Sequence, residues 1–470
     1  MNARSFSKWM ARNSNLYLFL LVSVCLAITP VNHSMAAVFT VTSTADSVDT
    51  NPGDSRCTTA LLACTLRAAI QEANALVFEA HTINVPSGTY TLTLIGTNED
   101  AAATGDLDVT NDITIIGQGK DTTIIDGNGI DRVFDIIGAG TDVTIANVTI
   151  QNGNLTMAAG NQNGGGVFVS IGATLTMSGV ILTGNTAVEG GGIWNNGSLN
   201  VTRSSLSSNT ATVFMGGGIF NNLTLTLTDS TLDGNSAING GGGLAQQGNA
   251  SLTNVTISGN TTRGDGGGMH NTAAAGGPVV LLNCTIADNI DTSLIPTGGI
   301  FNDQTMRLQN TIIADNQGSD CSGAGTFLTD DNNLDSDGTC GLSGPNDLPN
   351  TDPRLGNLAD NGGPTETQAL NDGSPAIDAG SNTNCPATDQ RGIVRPQDGD
   401  NDNEAICDIG AYEVEAADSG GGDTSGGGGS GGSSSCSITP QASSSVPIYF
   451  FIPLILGLRM LFRKLAEKKK

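Results

Sequence analysis

The chain has 470 residues, 64 of them Gly and only 4% aromatic, with a formal charge of −26. Nine of its 19 basic residues and one of its 45 acidic ones lie in the first 36 and last 12 positions, so the body between them carries about −34, with Lys120 its only lysine. That surface repels nucleic acid and anionic lipid and attracts divalent cations, and a 38% apolar content excludes a disordered chain.

Residues 1–36 have the layout of a signal peptide: Arg4, Lys8 and Arg12, an apolar stretch from Leu16 to Ile28, then small Ser34 and Ala36 at the cleavage-reading positions. Cys25 follows Val24, where a lipoprotein signal would place a small residue, so the expectation is export without lipidation there. The eight remaining cysteines then enter an oxidising compartment. Cys57 with Cys64, Cys321 with Cys340, and Cys385 with Cys407 are close enough to staple local loops, although spacing alone leaves the connectivity open.

Residues 37–81 open with strand-like Val38-Phe39-Thr40-Val41 and contain the one convincing helix, Thr65 to Asn74. Leu66, Ala69, Ile70 and Ala73 fall at helical spacing and Asn74 can end the helix, which would cap the first coil of the strand-rich region beyond it. From about Thr82 to 345, short Val/Ile/Leu/Thr runs broken by Gly, Asn and Asp predict strands.

Triple glycines return at Gly164, Gly190, Gly216, Gly241 and Gly266, with a shortened echo at Gly298, in steps of 26, 26, 25 and 25 residues over the first five. An Asn keeps the same beat at Asn185, Asn209, Asn235, Asn260, Asn289 and Asn316. Such a period implies stacked units that cannot bury their apolar faces alone. Three places before each Asn stand Leu182, Leu206, Leu232, Ile257, Ile286 and Ile313, expected to point inward; four places before stand Ile181, Ser205, Thr231, Thr256, Thr285 and Ile312, expected to point outward. Cys284 falls in the inward row five places before its Asn and reads as a packed thiol. The Asn residues are expected to hydrogen-bond along the stack in left-handed backbone, and the glycines to allow positive φ and close approach of coils.

Three constellations offer chemistry. The second residue after each glycine run is Phe168, Trp194, Phe220, Ala245, His270 or Phe301; facing outward, these form an aromatic strip able to stack on sugars or a partner, or on one another. Arg263, Asp265 and His270 surround one run and are the best local candidates for acid–base work, with Arg203 and Asp229 equivalent on neighbouring coils. Asp398, Asp400, Asp402 and Glu404 alternate like the oxygen ligands of a Ca²⁺ loop, with Asp408 as a further donor, although the run lacks the Gly and terminal Glu of an EF-hand.

The Gly-Gly-Gly-Ile-Trp-Asn and Gly-Gly-Gly-Ile-Phe-Asn units at Gly190 and Gly216 resemble the repeats of bacterial right-handed parallel β-helix proteins, the pectin-lyase-like fold shared with polymorphic outer membrane proteins. Cys64-Thr65-Leu66-Arg67-Ala68 resembles the Cys-Ser-Leu-Arg-Glu-Ala motif of a family of surface proteins, with Ala68 in place of Glu. Asn361-Gly362-Gly363-Pro364-Thr365, Ser374-Pro375-Ala376-Ile377-Asp378, Asp389-Gln390-Arg391-Gly392 and Asp408-Ile409-Gly410-Ala411-Tyr412-Glu413 resemble the choice-of-anchor Q domain, placed at 346–417. These resemblances imply an all-β solenoid on a cell surface and bring no established active site.

The Gly/Ser-rich segment 418–445 reads as a flexible stalk holding Cys436, followed over 446–470 by an apolar run expected to span a membrane and a basic tail expected to hold its end in the cytoplasm. This layout resembles the tripartite sorting signals of Gram-negative bacteria, in which a membrane protease cuts near the Gly/Ser/Cys motif, and marks Cys436 for processing or anchoring. The expected function is a secreted, surface-anchored adhesin that binds a cell-surface glycan or protein. A polysaccharide lyase or hydrolase and a passive coat protein are the alternatives.

Overall fold

The computed structural model describes residues 36–416 except 77–78, 98, 156–161 and 273–277. The leader through residue 35, the stalk with Cys436 and the apolar run lie outside the described residues. No helix among the described residues is long and apolar enough to cross a membrane.

The repeat becomes a parallel β-helix. Val167 pairs with Ile193, Ile193 with Ile219, Ile219 with Leu244 and Leu244 with Met269, so the glycine beat is the register of adjacent coils. Three parallel sheets run along the column, of nineteen, nine and five strands. The largest consists of two ladders that fuse where Thr224–Asp233 and Asn249–Ser258 pass continuously through the corner between them. That corner takes a left-handed backbone at Asn147, Gly179, Arg203, Asp229, Asn254, Asn283 and Asn310.

The interior is a stack of aliphatic rows. Leu182, Leu206, Leu232, Ile257, Ile286 and Ile313 are at most 1% exposed, and the residue after each glycine run, from Val167 to Ile300, is fully buried. Each such side chain contributes roughly 1.5–3 kcal/mol of burial. Cys284 is also fully buried, and burial pushes its thiol up to about 12, which leaves it an inert filler.

The Asn row is a buried hydrogen-bonded column. Asn235 Oδ1 accepts from both the backbone N–H and the side-chain Nδ2 of Asn209, and its own Nδ2 donates to Leu206 O and Asn260 Oδ1; the pattern continues to Asn316. The left-handed residue is not the Asn but the one before it: Gly184, Ser208, Gly234, Gly259, Asp288 and Asp315. The Asn must turn its side chain inward, and the preceding residue makes the corner that allows it. In the glycine runs the first member takes positive φ, as at Gly190 and Gly216, while the second meets the next coil: a Cβ on Gly217 would lie 2.4 Å from Gly242 O.

At the N-terminal end, the helix Leu66–Ala75 starts at Thr65, whose hydroxyl accepts from Ala68 N. It continues one residue past Asn74, which does not end it; the Asn74 side chain instead donates to Asp108 O and accepts from Thr110 N, tying the cap to the first strand of the nine-stranded sheet. Arg67 is buried, pairs with Asp46 and donates to Ala102, Gly105 and Asp106 carbonyls. Disulfides join Cys57–Cys64, Cys321–Cys340 and Cys385–Cys407.

The segment from about 351 to 414 is a strap that runs back along the outside of the coils. Its sheet is a two-stranded antiparallel pair, Leu355–Ala359 with Thr367–Leu370. Lys120 donates to Pro364 O, Thr231 to Glu366 O, Asn254 to Thr388 O and Asn283 to Asp408 O. The strap changes the outward row: Ile181 and Ser205 remain partly exposed, but Thr231, Thr256, Thr285 and Ile312 are buried beneath it. Ile312 seeds a second apolar cluster with Leu370, Ala376 and Ile409.

Replacing Asn235 by Ala removes the buried acceptor of the Asn209 backbone N–H and of one Asn209 side-chain N–H, and takes a donor from the Leu206 carbonyl, so a loss of about 3 kcal/mol is expected in urea unfolding. Gly217→Val meets backbone rather than a movable side chain and is expected to prevent folding of its coil, visible as lost amide protection on either side.

Candidate functional site

The outward position of the nine-stranded sheet forms one lane. In register from the capped end it reads Asp108, Asp135, Phe168, Trp194, Phe220, Ala245, His270 and Phe301. Each of these lies between two inward residues, so strand alternation alone projects it outward. Their neighbours along the lane are one coil away, and the rings respond to that spacing.

Phe168 stacks on Trp194 at 4.8 Å and 7°, and Trp194 on Phe220 at 6.0 Å and 5°. The free face of Phe168 is covered by the Arg132 guanidinium, 5.1 Å from its centroid. Rings parallel at the strand spacing turn their faces along the column, so edges rather than faces meet solvent. A sugar therefore cannot stack on a face of Phe168 or Trp194. Ala245 interrupts the row, and Phe301 stands apart from the stack in a T-shaped contact with His270 at 4.9 Å. Trp194 Nε1 donates to Glu189, whose carboxyl is raised by burial and lowered in part by that bond.

Arg263, Asp265 and His270 do not form an acid–base cluster. Arg263 is exposed, whereas His270 is 6% exposed, with Nδ1 lacking a hydrogen-bond partner among the described residues and packed where a Cβ on Gly240 would lie. Burial lowers the imidazole pKa, opposed by the charges of Asp265 and Asp303. The ring occupies a structural slot that other coils give to Phe or Trp.

Arg203 and Asp229 occupy successive left-handed corners and line a cleft of about 210 Å³ with Pro364, Gln390, Arg391 and Gly392 of the strap. The strap motifs close it from outside. Gln390 is fully buried, donates to Thr231, Thr365 and Glu366 and accepts from Thr256. Arg391 pairs with Asp389 and lies 3.6 Å over the Tyr412 ring. These side chains dock the strap.

In the C-terminal acidic loop, carboxylates of Asp378, Asp398 and Asp400 lie within 4.8 Å of one another. Asp402 and Glu404 are exposed beside them, and Asp402 Oδ1 accepts from Glu404 N. Asp408 stands outside this group: it is 1% exposed, its oxygens accept from Asp378 N and Val414 N, and burial, then the Glu413 charge, pushes it up to about 8. Asp378, invisible in the 398–404 spacing, joins the loop in its place. The oxygen-only donor set fits a hard cation such as Ca²⁺, although Asp378 and Asp398 oxygens already accept loop N–H groups.

The sequence reading missed the lane's first two positions. Asp108 and Asp135 are gathered with Asp106, again within 4.8 Å, and Arg132 lies against them, 3.1 Å from Asp106 and 3.2 Å from Asp135. Burial raises all three carboxyls, Asp135 to about 6 with Arg132 opposing the rise. The available signal was the triplet itself: Leu107-Asp108-Val109 and Phe134-Asp135-Ile136 match Val167-Phe168-Val169, but no triple glycine precedes them.

No family model matches the chain, and no curated protein does. Among solved structures it is similar to the pectate lyase Pel9A, with 15% identity over 81% of this chain and 98% of that one and a TM-score of 0.41. At that level the likeness transfers neither a residue nor a reaction.

His270→Phe gives the slot the ring that Phe301 carries on the next coil and removes a buried nitrogen with no hydrogen-bond partner among the described residues, for an expected gain of about 1–2 kcal/mol. The native ring is held below its ordinary pKa, so the unfolded chain binds the proton that the folded chain refuses, and stability falls as pH drops through the imidazole range. The gain in Tm should therefore be larger at about pH 5 than at about pH 8. Arg203→Asn should add roughly 1 kcal/mol by relieving a left-handed corner, measured by urea unfolding.

Proposed function

We propose that this chain is an exported, surface-tethered adhesin, with the nine-stranded face and its bordering corner as the binding surface and a cell-surface glycan or protein as the ligand. The observation that carries the reading is an asymmetry between flanks. One flank is given over to the strap, which buries Thr231, Thr256, Thr285 and Ile312. The corner leading into the nine-stranded sheet instead carries exposed apolar tips, Phe214 at 49%, Leu294 at 102% and Ile295 at 83%, beside partly exposed Trp194 and Phe301. Apolar tips on two loops three coils apart along a rigid column suit contact with another surface rather than with a small ligand. Recognition here uses ring edges and loop tips, which favours a partner surface or the apolar rim of a sugar over a sugar stacked on a ring.

Export by the leader, at least transient membrane residence through the apolar run with its basic tail in the cytoplasm, handling of Cys436 by a sorting protease, and a final place at the cell surface or outer membrane of a Gram-negative bacterium belong to the same proposal. The binding reading is preferred to a lyase or hydrolase because the residues nominated for acid–base work are split between an exposed arginine and a buried imidazole.

The test is binding of the full chain to intact cells and to a glycan array, alongside Phe214→Ser and a Leu294→Ser/Ile295→Ser double variant. These tips are solvent-exposed, so folding should be unaffected and binding should fall roughly 10-fold or more. Release of unsaturated uronate from acidic glycans, or binding unchanged in both variants, would defeat the reading.

A further inference from the structure

We propose that Asp106, Asp108 and Asp135 form a divalent-cation site that takes Ca²⁺ and locks the N-terminal cap onto the first coils. This site is separate from the C-terminal acidic loop and does not depend on the adhesin reading.

The topology assembles it from two coils and a loop. Asp108 and Asp135 are direct cross-strand partners at the edge of the nine-stranded sheet, so parallel pairing brings their carboxylates together. Asp106 precedes the same strand, at the end of the loop that the cap arginine Arg67 grips through the Ala102, Gly105 and Asp106 carbonyls. Like-charged residues directly opposite on adjacent strands destabilise a sheet unless something else compensates.

Arg132 compensates only in part. It faces Oδ2 of Asp106 and Oδ2 of Asp135, so one guanidinium is shared between carboxyls, and the charge of Asp131 beside Asp106 and Asp135 adds to the repulsion. The remaining oxygens make the case independent of the charge count. Asp108 is fully buried; its Oδ2 accepts from Ala102 N, and its Oδ1 has no hydrogen-bond partner among the described residues. Oδ1 of its cross-strand partner Asp135 is likewise buried without one. Leaving a carboxylate oxygen desolvated and unbonded is costly, and a cation coordinated by these oxygens removes that cost.

The donors specify the ion. All are carboxylate oxygens with no nitrogen or sulfur among them, the preference of Ca²⁺ or Mg²⁺ rather than of zinc or copper. An uneven cluster drawn from a loop and two strands suits the flexible coordination of Ca²⁺ better than the strict octahedron of Mg²⁺. Asp135 is 17% exposed and gives the ion and its remaining water ligands a way in. One divalent ion bridges the carboxylates and ties the loop held by the helix to both coils.

The experiment titrates EDTA-treated full chain with Ca²⁺ by calorimetry and follows cleavage at Glu99, in the same loop, by a glutamate-specific protease. Expected results are saturable binding, slower cleavage at Glu99 with Ca²⁺, and affinity weakened at least ~10-fold in both Asp108→Asn and Asp135→Asn. Both variants should melt no lower than the parent in EDTA, because each removes a carboxyl whose ionisation burial and its like-charged neighbours oppose. Asp398→Asn/Asp400→Asn should keep the protection at Glu99. A parent chain that binds no Ca²⁺ below about 1 mM, the weak end for extracellular modules, overturns the proposal. So does Glu99 cleavage indifferent to Ca²⁺, a readout on unmutated protein that does not depend on how the variants fold.

Discussion

The structure rests on one constraint: each coil must place its backbone groups opposite those of the next in the same register. Parallel pairing at a fixed strand spacing leaves no freedom once the first contact is set, so a repeat of about 25 residues becomes a column. The Asn column reports that register from inside. From Asn185 to Asn289 each Asn gives its backbone N–H and a side-chain N–H to the equivalent Asn of the next coil, and a slip by one residue would break the two bonds together. Hydrogen bonding and apolar burial therefore enforce the same alignment.

The lane follows from the same geometry. Once the register is fixed, outward side chains of one sheet stand directly above one another, and chemistry is decided by which residue types meet. Where they are aromatic, they cover one another's faces and become part of the wall. Where they are carboxylates, they repel and need a counter-charge. Arg132 links the two regimes by facing Asp106 and Asp135 while lying over Phe168.

Features with a periodic or local signature were legible in the sequence: the strands, the inward aliphatic rows, the position of the helix and the packed Cys284. Features created by contact between distant segments were not. Thr231 and Thr285 carry the alternation of an outward row, and only the strap, more than 100 residues later, makes them buried. Asn74 is a good helix terminator in isolation but is drawn to the edge strand at Asp108. Asp408 matches a cation ligand by spacing, yet it is buried, and the carboxylates of Asp378, Asp398 and Asp400 gather without it. The strap motifs, with no site chemistry of their own to announce, supply the buried contacts that hold that segment down, Gln390 foremost.

Residue-resolved amide hydrogen exchange on the folded chain tests the central claim most directly, because in a register-locked column the backbone N–H groups of Asn209, Asn235 and Asn260 each donate to the Asn side chain of the next coil. The account predicts that these amides exchange at rates set by global unfolding, among the slowest in the protein. Exchange at the rates of the exposed loops around Phe214 and Leu294 would contradict it.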